Sequence, residues 1–209
     1  MPRRKCPACG STSTVKIIYG LPTYEAFEAQ ERGELVLGGC CISTDDPNRI
    51  CKDCGQQFGG TNHYLKSDKD SIRAFEFFVG GYFGISHFVY IDGRRKNKLL
   101  KYLLTPGGFY IDIKKSIPPE YYKMEDVVIK ETKWSDERWY NFIDEIAACE
   151  VDCWKDQYSD NMICDGTQWS LDIKLPKRQK IHKSGSNAYP PNWKKFIKIL
   201  RKYIDENIG

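Results

Sequence analysis

Cys6-Pro7-Ala8-Cys9-Gly10 and Cys51-Lys52-Asp53-Cys54-Gly55 repeat one pattern, C-x-x-C followed by glycine. Two thiols three residues apart reach a common point only if the chain curls between them. The glycine permits the curl, and the turned backbone brings its N–H groups to the sulfurs. The pairs are separated by 41 residues, and each on its own knuckle can still converge with the other. Four soft thiolates at tetrahedral spacing suit Zn2+, at about 2.3 Å from each sulfur and with no coordination position left open. Cys6, Cys9, Cys51 and Cys54 are therefore read as the ligands of one structural zinc ion. Iron takes the same four ligands. A redox role for either pair fits less well, because neither sits at a helix start after a strand.

Working outward, Val15-Lys16-Ile17-Ile18-Tyr19 reads as a short strand closed by Gly20. Thr23 is placed to cap a helix over Tyr24 to Arg32, with Glu25 and Glu28 early in it and Gly33 as its stop. Glu34 to Leu37 reads as a second strand. Residues 1–60 thus form a zinc-ribbon domain with little core of its own, so metal-binding energy is folding energy there. Cys40 and Cys41 are either a second metal element or small residues on a strand, and the latter reading is preferred for at least one of them. Gly59 to Asp70 is polar and reads as a linker.

The run Cys6-Pro-Ala-Cys9-Gly10, Tyr19-Gly20-Leu21-Pro22, Gly33-Glu34-Leu35, Leu37-Gly38-Gly39-Cys40 and Cys51-x-x-Cys54-Gly55 resembles a bacterial zinc-ribbon module. The resemblance covers about residues 1–60 and implies the two cysteine pairs as zinc ligands. Asp165-Gly166-Thr167-Gln168-Trp169, with Gly185-Ser186-Asn187-Ala188-Tyr189-Pro190, also resembles a domain of bacterial proteins whose function is unknown. Neither resemblance implies an activity.

Residues 70–209 read as an α+β domain, a mainly antiparallel sheet with two amphipathic helices on one face. Phe75, Phe77 and Val79 alternate, as a half-buried strand does. Gly80-Gly81 interrupts, and Tyr82 to Ile91 resumes. Asp92-Gly93 is a hairpin signal, followed by strands over Lys98 to Leu104 and Phe109 to Ile113. Val127 to Ile129 is either a strand or part of a loop. Ser135 caps a helix in which Trp139, Phe142, Ile143 and Ile146 line one face. In Thr167 to Lys174, Trp169, Leu171 and Ile173 point inward, while Gln168, Ser170 and Asp172 point outward. A basic arm, Lys177 to Lys183, pairs with that strand, and Ser184 to Asn187 is a loop. Pro190-Pro191 opens a last helix striped by Trp193, Phe196, Ile197, Leu200 and Ile204.

The chain has 209 residues, of which 41% are hydrophobic and 29% charged. That excludes a disordered chain, a collagen-like chain and a simple coiled coil. No apolar run approaches the ~18 residues of a membrane span. The opening Met-Pro-Arg-Arg-Lys-Cys leads into a cysteine knuckle and not an apolar signal core. Nine cysteines, an odd number, argue against a secreted disulfide framework. The expectation is a cytoplasmic, reducing setting.

Net charge is only +4, but from Lys174 to Lys202 there are ten basic residues and no acidic one. From Ser135 to Asp165 there are nine acidic residues and two basic ones. The basic stretch offers phosphate contacts through Lys177, Arg178, Lys180, Lys183, Lys194, Lys195, Lys198, Arg201 and Lys202, with Tyr189 and Trp193 interleaved for stacking. Arg94-Arg95-Lys96 with Lys98 is a second basic spot. A zinc-stabilised protein that binds nucleic acid is the leading reading. A protein-interaction adaptor is the alternative, with Tyr121, Tyr122, Trp134 and Trp154 as candidate anchors.

An enzyme ranks third. No nucleophile elbow, P-loop, H-E-x-x-H or dinucleotide fingerprint is present. Of the three histidines, His63 lies in the linker, His87 reads as half-buried and satisfied, and His182 reads as solvated. Cys149, Cys153 and Cys164 read as core or surface thiols. An active site would need a cleft near residues 165–187, lined by Asp165-Gly166 and Ser184 to Asn187, whereas Gly80 to Gly84 reads as a bulge or sharp turn.

Overall fold

A computed structural model describes residues 4–40, 46–59, 69–81, 83–94, 96, 98–107, 111–115, 117–160, 162, 166–176 and 179–209. Cys41, His63, Arg95, Cys164, Asp165, Lys177 and Arg178, most of the expected linker, and the first two residues of the strand expected over 109–113 lie outside the described residues. The fold is α+β, with two sheets and three α-helices among those described.

The N-terminal sheet has four strands, β1 (Thr14–Ile18), β2 (Leu35–Leu37), β3 (Arg49–Cys51) and β4 (Gln57–Phe58), in the order β2-β1-β3-β4. β1 runs parallel to β2 and antiparallel to β3. The parallel pair requires a crossover, which α1 (Tyr24–Glu31) supplies. Thr23 caps α1 as the sequence predicts, its side chain accepting from the Ala26 N–H. Yet α1 buries none of its residues, so this sheet depends on something other than a core.

The C-terminal sheet has seven strands: β5 (Ala74–Gly80), β6 (Ile85–Asp92), β7 (Lys98–Pro106), β8 (Val128–Trp134), β9 (Gln157–Ser159), β10 (Gln168–Lys174) and β11 (Lys180–Ser186). Their order is β8-β7-β6-β5-β10-β11-β9, and only the β11–β9 pair is parallel. Val127 to Ile129, left open in the sequence, leads into β8. Ile111 and Ile113 are buried without forming a strand and pack on Phe88 and Leu103 across the sheet's other face.

Two amphipathic helices cover one face, α2 (Asp136–Ala147) and α3 (Trp193–Ile204). Ser135 caps α2 by accepting from the Arg138 N–H. Trp139, Phe142, Ile143 and Ile146 from α2 join Phe196, Ile197, Leu200 and Ile204 from α3 over Phe75, Phe77, Leu171 and Ile173. Burial alternates along β10 as expected, with Trp169, Leu171 and Ile173 inside.

One expectation is corrected. Ser184, Gly185 and Ser186 are strand and not loop, because β11 continues to pair with β10 and then with β9. Gly185 is required there, since a Cβ would lie 2.3 Å from the Trp169 Nε1. The glycine that suggests a loop instead makes room for a neighbouring indole. No helix among the described residues is long and apolar enough to cross a membrane.

Candidate functional site

The four cysteine sulfurs lie within 4.8 Å of one another. Cys6 Sγ is 3.6 Å from Cys54 Sγ, and Cys9 Sγ is 3.7 Å from Cys51 Sγ. A tetrahedral ion with Zn–S bonds of about 2.3 Å would hold its sulfurs about 3.8 Å apart. The four side chains are positioned to bind a metal ion, and they fill its whole tetrahedral coordination shell.

The two knuckles are built alike. The Gly10 N–H donates to the Cys6 carbonyl at 2.8 Å, and the Gly55 N–H donates to the Cys51 carbonyl at 2.9 Å. Gly10 and Gly55 have φ of 78° and 73°, in the left-handed region that only glycine enters freely. Cys6 Sγ receives the N–H groups of Ala8 and Cys9, and Cys51 Sγ those of Asp53 and Cys54. Burial pushes the Cys6 thiol up to about 12 against those donors. At Cys51 burial also raises the pKa, but the two backbone donors together with the Cys9 and Cys54 thiols outweigh it and hold the thiol at about 7. Cys6 and Cys51 are buried, while Cys9 and Cys54 face solvent.

The centre also rests on the rest of the molecule. Cys6, Ala8, Cys51 and Phe58 form a buried cluster with Cys153, which lies far away in sequence. The Tyr158 hydroxyl donates to the Ala8 carbonyl at 2.8 Å, and Arg4 pairs with Glu150 at 2.5 Å. The sequence reads Cys153 only as a core or surface thiol and does not single out Tyr158. Nothing in their local pattern marks them, because the contact is made by tertiary packing. Cys40 is exposed and stands outside the four-thiol cluster. Cys149 is buried, and burial pushes its thiol up to about 11.

The described basic residues proposed for phosphate contact fall into different settings. Lys183 is 6% exposed. Its Nζ donates to the Trp154 carbonyl at 2.6 Å and to Asp156 Oδ1 at 2.9 Å. It fastens the 154–156 segment, next to the metal centre, onto β11. Lys183→Met removes the Trp154 carbonyl's charged donor and is expected to cost about 1–3 kcal/mol. Urea unfolding measures this, and a loss below about 0.5 kcal/mol would contradict the fastening role.

Lys195 donates to the Ala148 carbonyl at the end of α2, and Lys202 pairs with Glu145 at 2.5 Å. Arg201 donates to the Ile208 and Gly209 carbonyls. Lys180 pairs with Asp172 at 3.3 Å. Lys194 and Lys198 stand exposed on α3. Of the acidic residues in 135–165, Glu145 and Asp156 thus draw in Lys202 and Lys183.

A different grouping forms at the end of the sheet where β5 begins and β6 and β10 finish. Arg73, Arg94, Lys174 and Lys180 line a recess of about 270 Å³ with Tyr90. Arg94 is bound to Asp92, and Lys174 lies 3.9 Å from Glu76. Arg94 had a sequence signal in the second basic spot, and Lys174 and Lys180 in the basic stretch. Arg73 carries none, because β10 must align beside the distant β5–β6 hairpin before the cluster exists.

Of the other candidates, Trp134 and Trp154 are core residues, whereas Tyr122 is exposed. His182 Nδ1 lies 2.9 Å from Asp172 Oδ1. No protein-family model matches this chain, and no curated protein matches it. The metal centre and the basic recess therefore stand on their geometry.

Proposed function

We propose that this chain is a zinc-stabilised protein of the reducing cytoplasm that binds the phosphate backbone of nucleic acid. The convergence of Arg73, Arg94, Lys174 and Lys180 on one recess beside Tyr90 carries the reading. Guanidinium and ammonium groups together contact phosphate oxygens. Arg73 supports it most directly, as its side chain has no carboxylate partner among the described residues. The four-cysteine set supports zinc, since thiolates at this spacing suit a soft tetrahedral ion, and a closed shell makes its role structural. Free thiols fit a reducing compartment.

The test is binding of labelled single- and double-stranded DNA and RNA to zinc-loaded protein at about 50 and 200 mM salt. Binding at the lower salt is expected, with at least about a tenfold loss at the higher. Arg73→Glu with Lys174→Glu is expected to weaken it by at least about tenfold, whereas Lys194→Glu with Lys198→Glu changes it less than about threefold. The reverse ranking would move the contact to α3. Absence of binding at low salt would overturn the reading.

The adaptor reading has one observation in its favour. Leu21, Tyr24 and Phe27 are exposed on and before α1, beside Glu25, Glu28 and Glu31. An apolar contact of that kind would bind a partner with little dependence on salt.

A further inference from the structure

At the other end of β5, about 20 Å from the basic recess by strand rise, the β5–β6 turn meets the segment that enters β10. A Cβ on Gly81 would lie 2.7 Å from the Gly166 carbonyl oxygen, and one on Gly166 would lie 1.6 Å from Asn187 Oδ1. Glycine at both positions lets the β5–β6 turn approach the start of β10 backbone to backbone. Beside this junction is a recess of about 330 Å³ lined by Phe83, Ile85, His87, Thr167, Tyr189 and Trp193.

The lining has two characters. Phe83 is 74% exposed, Ile85 58% and Tyr189 41%, so large apolar side chains gather at the mouth. Tyr189 and Trp193 have ring centroids 4.9 Å apart at 37°, giving an aromatic wall. The polar element is His87, which is buried at 9% exposure. Its Nδ1 lies 2.9 Å from the Tyr102 hydroxyl, and Tyr102 is wholly buried.

The direction of that bond follows from satisfaction. The Tyr102 O–H has no other acceptor among the described residues, so it donates to Nδ1. The proton of the neutral imidazole then sits on Nε2, which has no protein partner among the described residues. Burial holds His87 below its ordinary pKa and Tyr102 above its own, so both stay neutral near pH 7. The recess therefore combines an N–H donor with the half-buried Thr167 and a flat aromatic wall. Its volume lies at the low end of the ~300–1,000 Å³ that small-molecule sites span, which suits one or two fused rings.

We propose that this recess binds a small planar heteroaromatic molecule that presents a ring nitrogen or carbonyl acceptor to His87. The site is separate from the basic recess and stands without the nucleic-acid reading. Stacking on Tyr189 and Trp193 selects flatness, and the Nε2–H selects an acceptor edge, since an apolar edge would leave that donor without a partner.

The experiment is a nuclear magnetic resonance titration of the labelled, zinc-loaded full chain with isoquinoline, and with naphthalene as the acceptor-free isostere. Isoquinoline is expected to shift the His87 Nε2 and Trp193 indole resonances, with a dissociation constant near or below about 1 mM. Naphthalene at equal concentration should shift them several-fold less. His87→Phe is expected to abolish the preference for isoquinoline, and Tyr189→Ala to weaken isoquinoline by about tenfold. Tyr189 is exposed, so its truncation tests the site even if His87→Phe fails to fold. Equal binding of both ligands by the unaltered chain, or no shift at these residues, would overturn the proposal.

Discussion

Removing the metal with a strong chelator, or replacing Cys51 by alanine, is expected to unfold the N-terminal sheet while leaving the seven-stranded sheet in place. The expectation follows from what that sheet lacks. Its helix α1 buries nothing, β2 to β4 are two or three residues long, and apart from Ile17 of β1 its buried core residues Cys6, Ala8, Cys51 and Phe58 gather around the thiols. Structural zinc contributes about 10–16 kcal/mol of apparent binding energy in zinc-finger peptides at neutral pH. That exceeds what so small a core supplies. The loss should also cross into the larger sheet at one place. Tyr158 donates to the Ala8 carbonyl and Cys153 packs in the same cluster, so the 151–158 segment should loosen with the knuckles.

Elemental analysis should find one zinc per chain in the unaltered protein and less than half that in Cys51→Ala. Amide hydrogen exchange should show protection lost over β1 and β3 and reduced at Tyr158, with β5 and β10 unchanged. Cys149→Ala should leave the metal content intact, because Cys149 lies outside the four-thiol cluster. Full protection over β1 and β3 after metal removal would contradict a structural role. Acid should release the metal, since the ligands are thiolates and protons compete for them.

The metal centre was legible because its signal is local. Two knuckles of five residues each carry ligand, turn and sulfur-directed N–H groups in one short pattern. The helices α2 and α3 were legible for a similar reason, as the spacing of Phe142, Ile143 and Ile146 and of Phe196, Ile197 and Leu200 repeats every turn. Lys183 was misread as one more surface charge. Its burial depends on the carbonyl of Trp154, and no charge count includes a carbonyl. Ser184 to Ser186 read as loop because glycine and serine favour turns, whereas pairing on both sides decided for strand. The basic recess was not legible as a site, and the other was legible only as a cleft near residues 165–187. Each is made where strands far apart in sequence end side by side, and only sheet order brings Arg73 to Lys180 or Phe83 to Tyr189.

Phe142→Ala is expected to destabilise the larger sheet by about 3–5 kcal/mol, the range for a buried phenylalanine truncated to alanine. Phe142 is wholly buried in α2 and sits where both helices meet the sheet. Its ring meets Phe75 of β5 edge-on at 4.9 Å, Tyr203 of α3 at 5.3 Å and Trp134 of β8 at 5.4 Å. These partners come from three separate elements, and all are large and branched from rigid backbone, so they cannot close together over the vacated space. The site should therefore fall at the upper part of that range, where cavities persist. A domain's whole stability is about 5–15 kcal/mol, so the variant should lie near its unfolding midpoint at modest urea. Phe142→Leu retains most of the volume and should recover more than half of the loss. Because the cavity lies away from the thiols, zinc content should stay at one per chain under native conditions. Urea unfolding of the three proteins, followed by tryptophan fluorescence, measures the series. A loss below about 1.5 kcal/mol for Phe142→Ala would mean that α2 and α3 can repack onto the sheet without this ring.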